Sequence, residues 1–201
     1  MQYLKDEVRD NIADAALKEF TQKGYEGASI RGIAEKSNTS VGNLYKYFHS
    51  KEDLYENIIG FVYHKLVNYI KQFDKVEIDD KAQFIFYELM EKIMEIFNES
   101  SREISVLLNQ SKGSKYENCK SIFIDFITRI TTEEIKYELS MKGKRLKDNF
   151  VIYLISYSLV ESIAIIVKER HDGSEVRKLI LNVIDIYYGD IVNKLDCDGI
   201  K

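Results

Sequence analysis

The chain contains no proline and only ten glycines in 201 residues, so little in it forces a helix to break. Its two cysteines, Cys119 and Cys197, are too few and too far apart for a disulfide framework or a zinc site. Cys119 reads as a small buried hydrophobe and Cys197 as a tail residue. The three histidines, His49, His64 and His171, share no metal-ligand spacing. A Walker loop, a dinucleotide-binding glycine signature and a G-x-S-x-G elbow are all missing, so an enzyme is not expected. The N-terminal MQYLKDEVRDNIADAAL is charged and carries no apolar signal core. The longest uncharged run, 149–160, is too short to span a bilayer. These absences lead us to expect a cytoplasmic protein with no cofactor, no metal and no membrane partner.

What is present is apolar spacing of three and four residues throughout a chain rich in Ile, Leu, Lys, Glu and Tyr. That pattern indicates an all-α fold. The net charge of −4 argues against a protein that coats nucleic acid or membranes by bulk charge. The charge is unevenly placed. Residues 1–51 carry eight bases against seven acids, and the remainder holds the negative excess. Between Ser37 and Lys51 there are two lysines and no acid, a local patch able to meet a polyanion.

The spacing predicts about nine helices. The first, over about 6–23, places Val8, Ile12, Ala15, Ala16 and Phe20 on one stripe with charges elsewhere, and Gly24 is expected as a left-handed cap closed by Tyr25. Ser29 is placed to cap a second helix reaching about Ser37, with Ile33 and Ala34 inward. Asn38 suits a left-handed turn residue. Thr39 or Ser40 can cap a third helix, extending to about His49 and anchored by Leu44 and Phe48. Ser50 and Asp53 resemble a capping box opening a fourth helix that reaches about Phe73. The acidic stretch 75–80 is expected to separate two parts. Five further helices are expected at about 81–99, 103–110, 115–141, 147–171 and 174–195.

The stretch 29–51, SIRGIAEKSNTSVGNLYKYFHSK, therefore reads as a helix-turn-helix at about 29–48. Such a hairpin needs an apolar anchor for its second helix, and N-terminal residues on that helix free to reach base edges. Thr39, Ser40, Val41, Gly42 and Asn43, with Tyr47, are the expected base-contacting residues. Asn can bond adenine through both amide groups, Val can touch a thymine methyl, and Gly permits close approach. Ser29, Arg31, Tyr45, Lys46, His49 and Lys51 are expected at phosphates and the groove edge, where contacts orient without reading sequence.

These motifs closely resemble the TetR family of bacterial transcriptional regulators over roughly residues 8–54. The matching pattern is I-A-x-A-A-L-x-x-F-x-x-x-G-Y, then S-I-x-x-I-A, then V-G-N-L-Y-x-Y-F-x-S-K-E-x-L. The resemblance implies an all-helical homodimer with an N-terminal helix-turn-helix domain (1–50) and a C-terminal ligand-binding and dimerisation bundle (51–201). It also implies phosphate contacts by Tyr45 and Lys51 and a dimer interface built by the last two helices. Asn38 and Thr39 depart from the Gly and Val common at those positions. The expected function is a dimeric repressor of a near-palindromic, double-stranded DNA operator. A small apolar or aromatic effector releases it. The alternative is a regulator controlled by a protein partner or lacking a small-molecule ligand.

The C-terminal half offers Phe86, Tyr87, Met90, Phe123, Phe126, Tyr157 and Glu161 as candidate effector-pocket residues, although aromatics on helices also serve simply as core. Glu161 interrupts an apolar helix. It could meet a cationic ligand, a dimer partner or solvent. A closed cavity lined by Phe86, Tyr87, Phe123 and Tyr157 would favour a small molecule, whereas a filled bundle with an exposed apolar patch would favour a protein partner or no effector.

Overall fold

The computed structural model describes residues 2–73, 82–195 and 197–199, with side chains over 6–73 and 87–195. The acidic stretch 75–80, expected as a boundary, lies outside the described residues. The helices are α1 (Gln2–Gly27), α2 (Ile30–Lys36), α3 (Val41–Leu44), α4 (Lys51–Tyr55), α5 (Phe61–Phe73), α6 (Ala82–Glu99), α7 (Ser101–Asn109), α8 (Cys119–Met141), α9 (Phe150–Glu169), α10 (Gly173–Tyr188) and α11 (Ile191–Lys194). A π-helical turn, Glu56–Gly60, joins α4 to α5. The all-α class holds, with one addition among the described residues. Strand β1 (Lys144–Leu146) pairs antiparallel with β2 (Cys197–Gly199), setting Arg145 opposite Asp198.

The chain divides into two compact units, Met1–Lys65 with Arg102–Asn118, and Leu66–Ser101 with Cys119–Lys201. In the first, α1 packs on α2 and α4, and α2 packs on α3. Ile12, Ala15, Ala16 and Phe20 are buried as their spacing predicts, and Val8 is half-buried. Two expectations for α1 need correction. Glu19 is fully buried rather than outside with the other charges. Gly24 has φ 68° and ψ 172°, which is not the left-handed helical cap expected but a region open essentially to glycine alone. A Cβ there would also lie 2.9 Å from Gln110 Oε1. The Tyr25 N–H donates to the Gln110 carbonyl at 2.8 Å, and its ring meets Tyr55 edge-on at 4.7 Å.

In the second unit α9 packs on α8 and α10, and α10 on α6. Ile135, Leu139, Ile152 and Ile191 form one buried cluster. The last expected helix is broken at Gly189 and Asp190, where Asp190 takes φ 57°. Measured along its whole 20 residues, α9 is long and apolar enough to cross a bilayer by length and composition. One side of α9 is buried through Ile152, Ser156, Leu159, Val160, Ala164 and Val167. The other side leaves Phe150, Leu154, Tyr157 and Ile165 exposed.

Candidate nucleic-acid interface

The hairpin is fixed by local caps. Ser29 Oγ accepts from the Gly32 N–H at 3.1 Å and opens α2, whose Ile33 and Ala34 are buried. Asn38 takes φ 51°, the left-handed turn its side chain tolerates. The chain then turns so that the Thr39 N–H donates to the Ala34 carbonyl at 2.9 Å. Ser40, not Thr39, caps α3. Its Oγ accepts from the Asn43 N–H at 3.1 Å. The Thr39 hydroxyl instead accepts from Asn43 Nδ2 at 2.9 Å.

The α-helical part of the third helix is shorter than expected. After Leu44 the bonds tighten to three-residue spacing, Lys46 N to Asn43 O and Tyr47 N to Leu44 O, before Phe48 N returns to Leu44 O. Leu44 and Phe48 are buried and anchor the inner face. Ser40, Val41, Gly42, Tyr45, Lys46 and His49 are exposed, with Asn43, Tyr47 and Thr39 half-buried beside them. On α2, Ser29 and Arg31 are exposed, and Arg31 pairs with Glu35 at 3.2 Å. A Cβ on Gly42 would meet nothing within 4 Å, so no neighbour within the chain requires a glycine there.

Lys51 has a structural occupation as well. Its Nζ donates to the carbonyls of Tyr25 (2.7 Å) and Ala28 (3.1 Å) and lies 4.5 Å from the Tyr25 ring centroid. It thus pins the segment between α1 and α2 to the start of α4. The cap of α4 differs slightly from a capping box. Ser50 Oγ accepts from the Asp53 N–H, while Asp53 Oδ2 accepts from the N–H of His49, one residue before the cap.

Two supports escape the sequence pattern. Glu19 lies under α2 with Lys23 and Lys36 each 2.8 Å away. Burial disfavours its charge, but the two ammonium groups outweigh that and hold its pKa below the usual glutamate value. Glu56, in the π-helical turn, accepts from Lys115 at 2.7 Å, from His64 at 3.1 Å and from the Tyr116 phenol. Burial opposes ionisation of Glu56, and these three donors reverse the balance, lowering its pKa. The Tyr116 phenol is pushed well up, by burial and then by the Glu56 carboxylate. Lys115 and Tyr116 are some 60 positions away in sequence, so only the fold reveals this cluster.

Residues 12–58 match the family described as bacterial regulatory proteins, tetR family. The chain is 27% identical over 162 residues to IcaR of Staphylococcus aureus strain Newman, the HTH-type negative transcriptional regulator of the biofilm operon icaADBC, covering 77% of this chain and 84% of that one. The match makes residues 12–58 similar to the DNA-binding segment of the TetR family. Solved structures with the same fold include a TetR-like regulator from a Rhodococcus species, with TM-score 0.60 and 18% identity over 92% of this chain and 95% of that one. The TetR-family regulator PfmR from Thermus thermophilus has TM-score 0.54 and 22% identity, covering 86% and 96%. Both sequence likenesses, to the family model and to IcaR, are to DNA-binding transcriptional regulators.

The effector candidates are differently placed. Phe123 is buried, Met90 half-buried, and Phe126 half-buried against Phe73, with ring centroids 6.1 Å apart. Tyr87 and Tyr157 are exposed, by 65% and 47%. The side chain of Phe86 lies outside the described residues. Glu161 receives Lys120 Nζ on both oxygens, at 3.0 and 2.8 Å. Beside Lys120, burial pushes the Cys119 thiol up to about 11, only partly offset by the lysine charge. Among the described residues no three His, Cys, Asp or Glu side chains converge on a metal site.

Proposed function

We propose that this protein is a dimeric repressor that binds a near-palindromic operator and is released by an effector acting on its C-terminal part. The observation that carries the reading is the exposed, acid-free face of the capped hairpin from Thr39 to Lys51. Function divides at residue 50. The DNA-binding domain is 1–50, and 51–201 serves ligand binding and dimerisation. Thr39, Ser40, Val41, Gly42, Asn43 and Tyr47 meet base edges; Ser29, Arg31, Tyr45, Lys46 and His49 meet phosphates and the groove edge. Lys51 contributes charge near the phosphates while holding the α1–α2 segment in place. The negative regulation named for IcaR supports repression over activation. The exposed apolar side of α9, with Ile186 exposed on α10, supports a second copy of the chain as its cover. Two recognition helices then lie about 34 Å apart along the duplex. The protein works in the cytoplasm.

The effector is a small apolar or aromatic molecule seated near Met90, Phe123 and Phe126. It acts by binding better to the state whose recognition helices are wrongly spaced. A second reading, control by a protein partner or by no ligand, is favoured by the exposure of Tyr87 and Tyr157, which do not line a closed interior.

The test is a mobility-shift titration of the full chain on operator DNA found by selection from random duplexes. Tyr45→Ala with Lys46→Ala is expected to weaken binding uniformly across sequences, and to reduce the slope against salt by about one for the lysine. Unchanged affinity and slope would remove these residues from the interface. A thermal-shift screen of apolar and aromatic compounds, followed by loss of the shifted band, separates the two effector readings.

A further inference from the structure

Two adjacent hydroxyls, Thr39 and Ser40, both act on Asn43. Ser40 Oγ holds its backbone N–H as the cap of α3, and Thr39 Oγ1 holds its side-chain Nδ2 at 2.9 Å. Thr39 is itself fixed, because its N–H is tied to the Ala34 carbonyl and the residue before it occupies the left-handed turn. The chain of restraint therefore runs from α2 through the turn to one amide on the exposed side of α3. A primary amide has two N–H donors and one carbonyl oxygen. With one N–H held by Thr39, the second N–H and Oδ1 of this half-buried side chain remain to bond a base. That donor and acceptor pair is what bonds N7 and N6 of adenine.

We propose that Thr39 is a specificity-determining positioning residue, which fixes the Asn43 amide so that its remaining N–H and Oδ1 read an adenine. Thr39 need not touch a base for this. It restricts the amide's freedom to rotate before DNA arrives, so less of that freedom is lost when the amide meets a base. The inference rests on the DNA-binding reading above and sharpens it at one base pair.

The experiment is selection of preferred sites from random-sequence duplex DNA by the full-length protein, followed by titrations on single-position variants of the selected site. The proteins are wild type, Asn43→Ala, Thr39→Val and Thr39→Ser. Valine keeps the shape of threonine without the acceptor, and serine keeps the acceptor. Asn43→Ala is expected to erase an A·T preference at one position. Thr39→Val should lower the preference at that same position by about five- to tenfold, more than at any other position of the selected site. Thr39→Ser should retain it.

Wild-type preference in Thr39→Val would overturn the proposal. So would equal loss of all DNA binding in Thr39→Val and Thr39→Ser, which would make Thr39 a folding residue of the turn. An Asn43→Ala protein with every preference intact would overturn it by removing the reader, while leaving DNA binding standing. A wild-type protein that enriches no sequence at all would instead bring down the regulator reading beneath it.

Discussion

Glu19 in the first unit and Glu161 in the second are both helical carboxylates with lysine partners, and they show how differently the two units are finished. Glu19 is fully buried between two lysines, Lys23 and Lys36, and links α1 to α2. Glu161 keeps about a third of its side chain exposed and has one lysine, Lys120. Around Glu19 the large aromatics point inward, with Phe20 and Tyr55 packed edge to face at 4.8 Å. On the Glu161 helix they point outward, with Phe150 and Tyr157 exposed. The first unit pairs its buried carboxylate with lysines of its own. In the second, Phe150, Leu154, Tyr157 and Ile165 stay exposed among the described residues, and it is this apolar face that we propose for association.

The largest effect that would break this contrast concerns that uncovered face. Leu154→Glu combined with Ile165→Glu places charges on two exposed positions, so the protomer should still fold. Like charges meeting across a two-fold interface cost several kcal/mol, which corresponds to a dimer dissociation constant raised by more than about 100-fold. Sedimentation equilibrium should show a dimer for wild type and a monomer for the variant at micromolar concentration. A wild-type monomer would mean that something other than a second copy covers α9.

Next in size is Glu19→Gln, expected to lower stability by about 2 kcal/mol in urea unfolding, since a buried charge-assisted hydrogen bond to Lys23 and the ion pair with Lys36 are lost. The pH dependence has a definite sign. The folded pKa lies below the unfolded value of about 4.3. The stabilisation is therefore present above that value and disappears as pH falls through the folded pKa. Wild type and Glu19→Gln should differ at pH 7 and converge in acid. Curves that stay parallel down to about pH 2 would show that the carboxylate charge is not what Glu19 contributes.

The same contrast separates what the sequence makes legible from what it does not. Ser29, Asn38, Ser40 and Ser50 were readable because a cap or a left-handed turn depends on residues only two to four positions away. Leu44 and Phe48 were readable from their spacing. Glu19 was not, because a buried carboxylate with paired lysines looks on paper like any charge beside an apolar stripe. The Lys120 partner of Glu161 and the Lys115 and Tyr116 partners of Glu56 lie 41 to 60 positions away. Periodicity carries no information about such pairings. In sequence Lys51 is a cation free for phosphate, and its bonds to Tyr25 and Ala28 depend on the turn that places those carbonyls. The third helix was overextended because its apolar anchors continue past the point where its hydrogen bonds tighten.

Gly42→Ala is smaller in energy but sharper in logic, because stability and function should move in opposite directions. The position is helical and open, so alanine should stabilise the fold by about 0.5–1 kcal/mol. The added methyl would then stand between α3 and the groove floor, and operator affinity should fall by about tenfold. Raised thermal stability with unchanged operator affinity would mean that DNA does not approach Gly42 closely.

The smallest expected effect returns to Glu161. A partly exposed ion pair is screened by water and holds two flexible side chains in place, so its net contribution is at most about 0.5–1 kcal/mol. A double-mutant cycle of Glu161→Gln and Lys120→Met should give a coupling in that range, well below the effect of Glu19→Gln, and added salt should reduce it further. If the coupling instead reached about 3 kcal/mol, the pair would behave as a buried one, although each protomer alone leaves it partly exposed to water. Measuring the cycle on the Leu154→Glu, Ile165→Glu background then decides the source of the excess. A coupling that falls back below about 1 kcal/mol in the monomer places Glu161 under the second copy, and one that persists places its burial within the protomer.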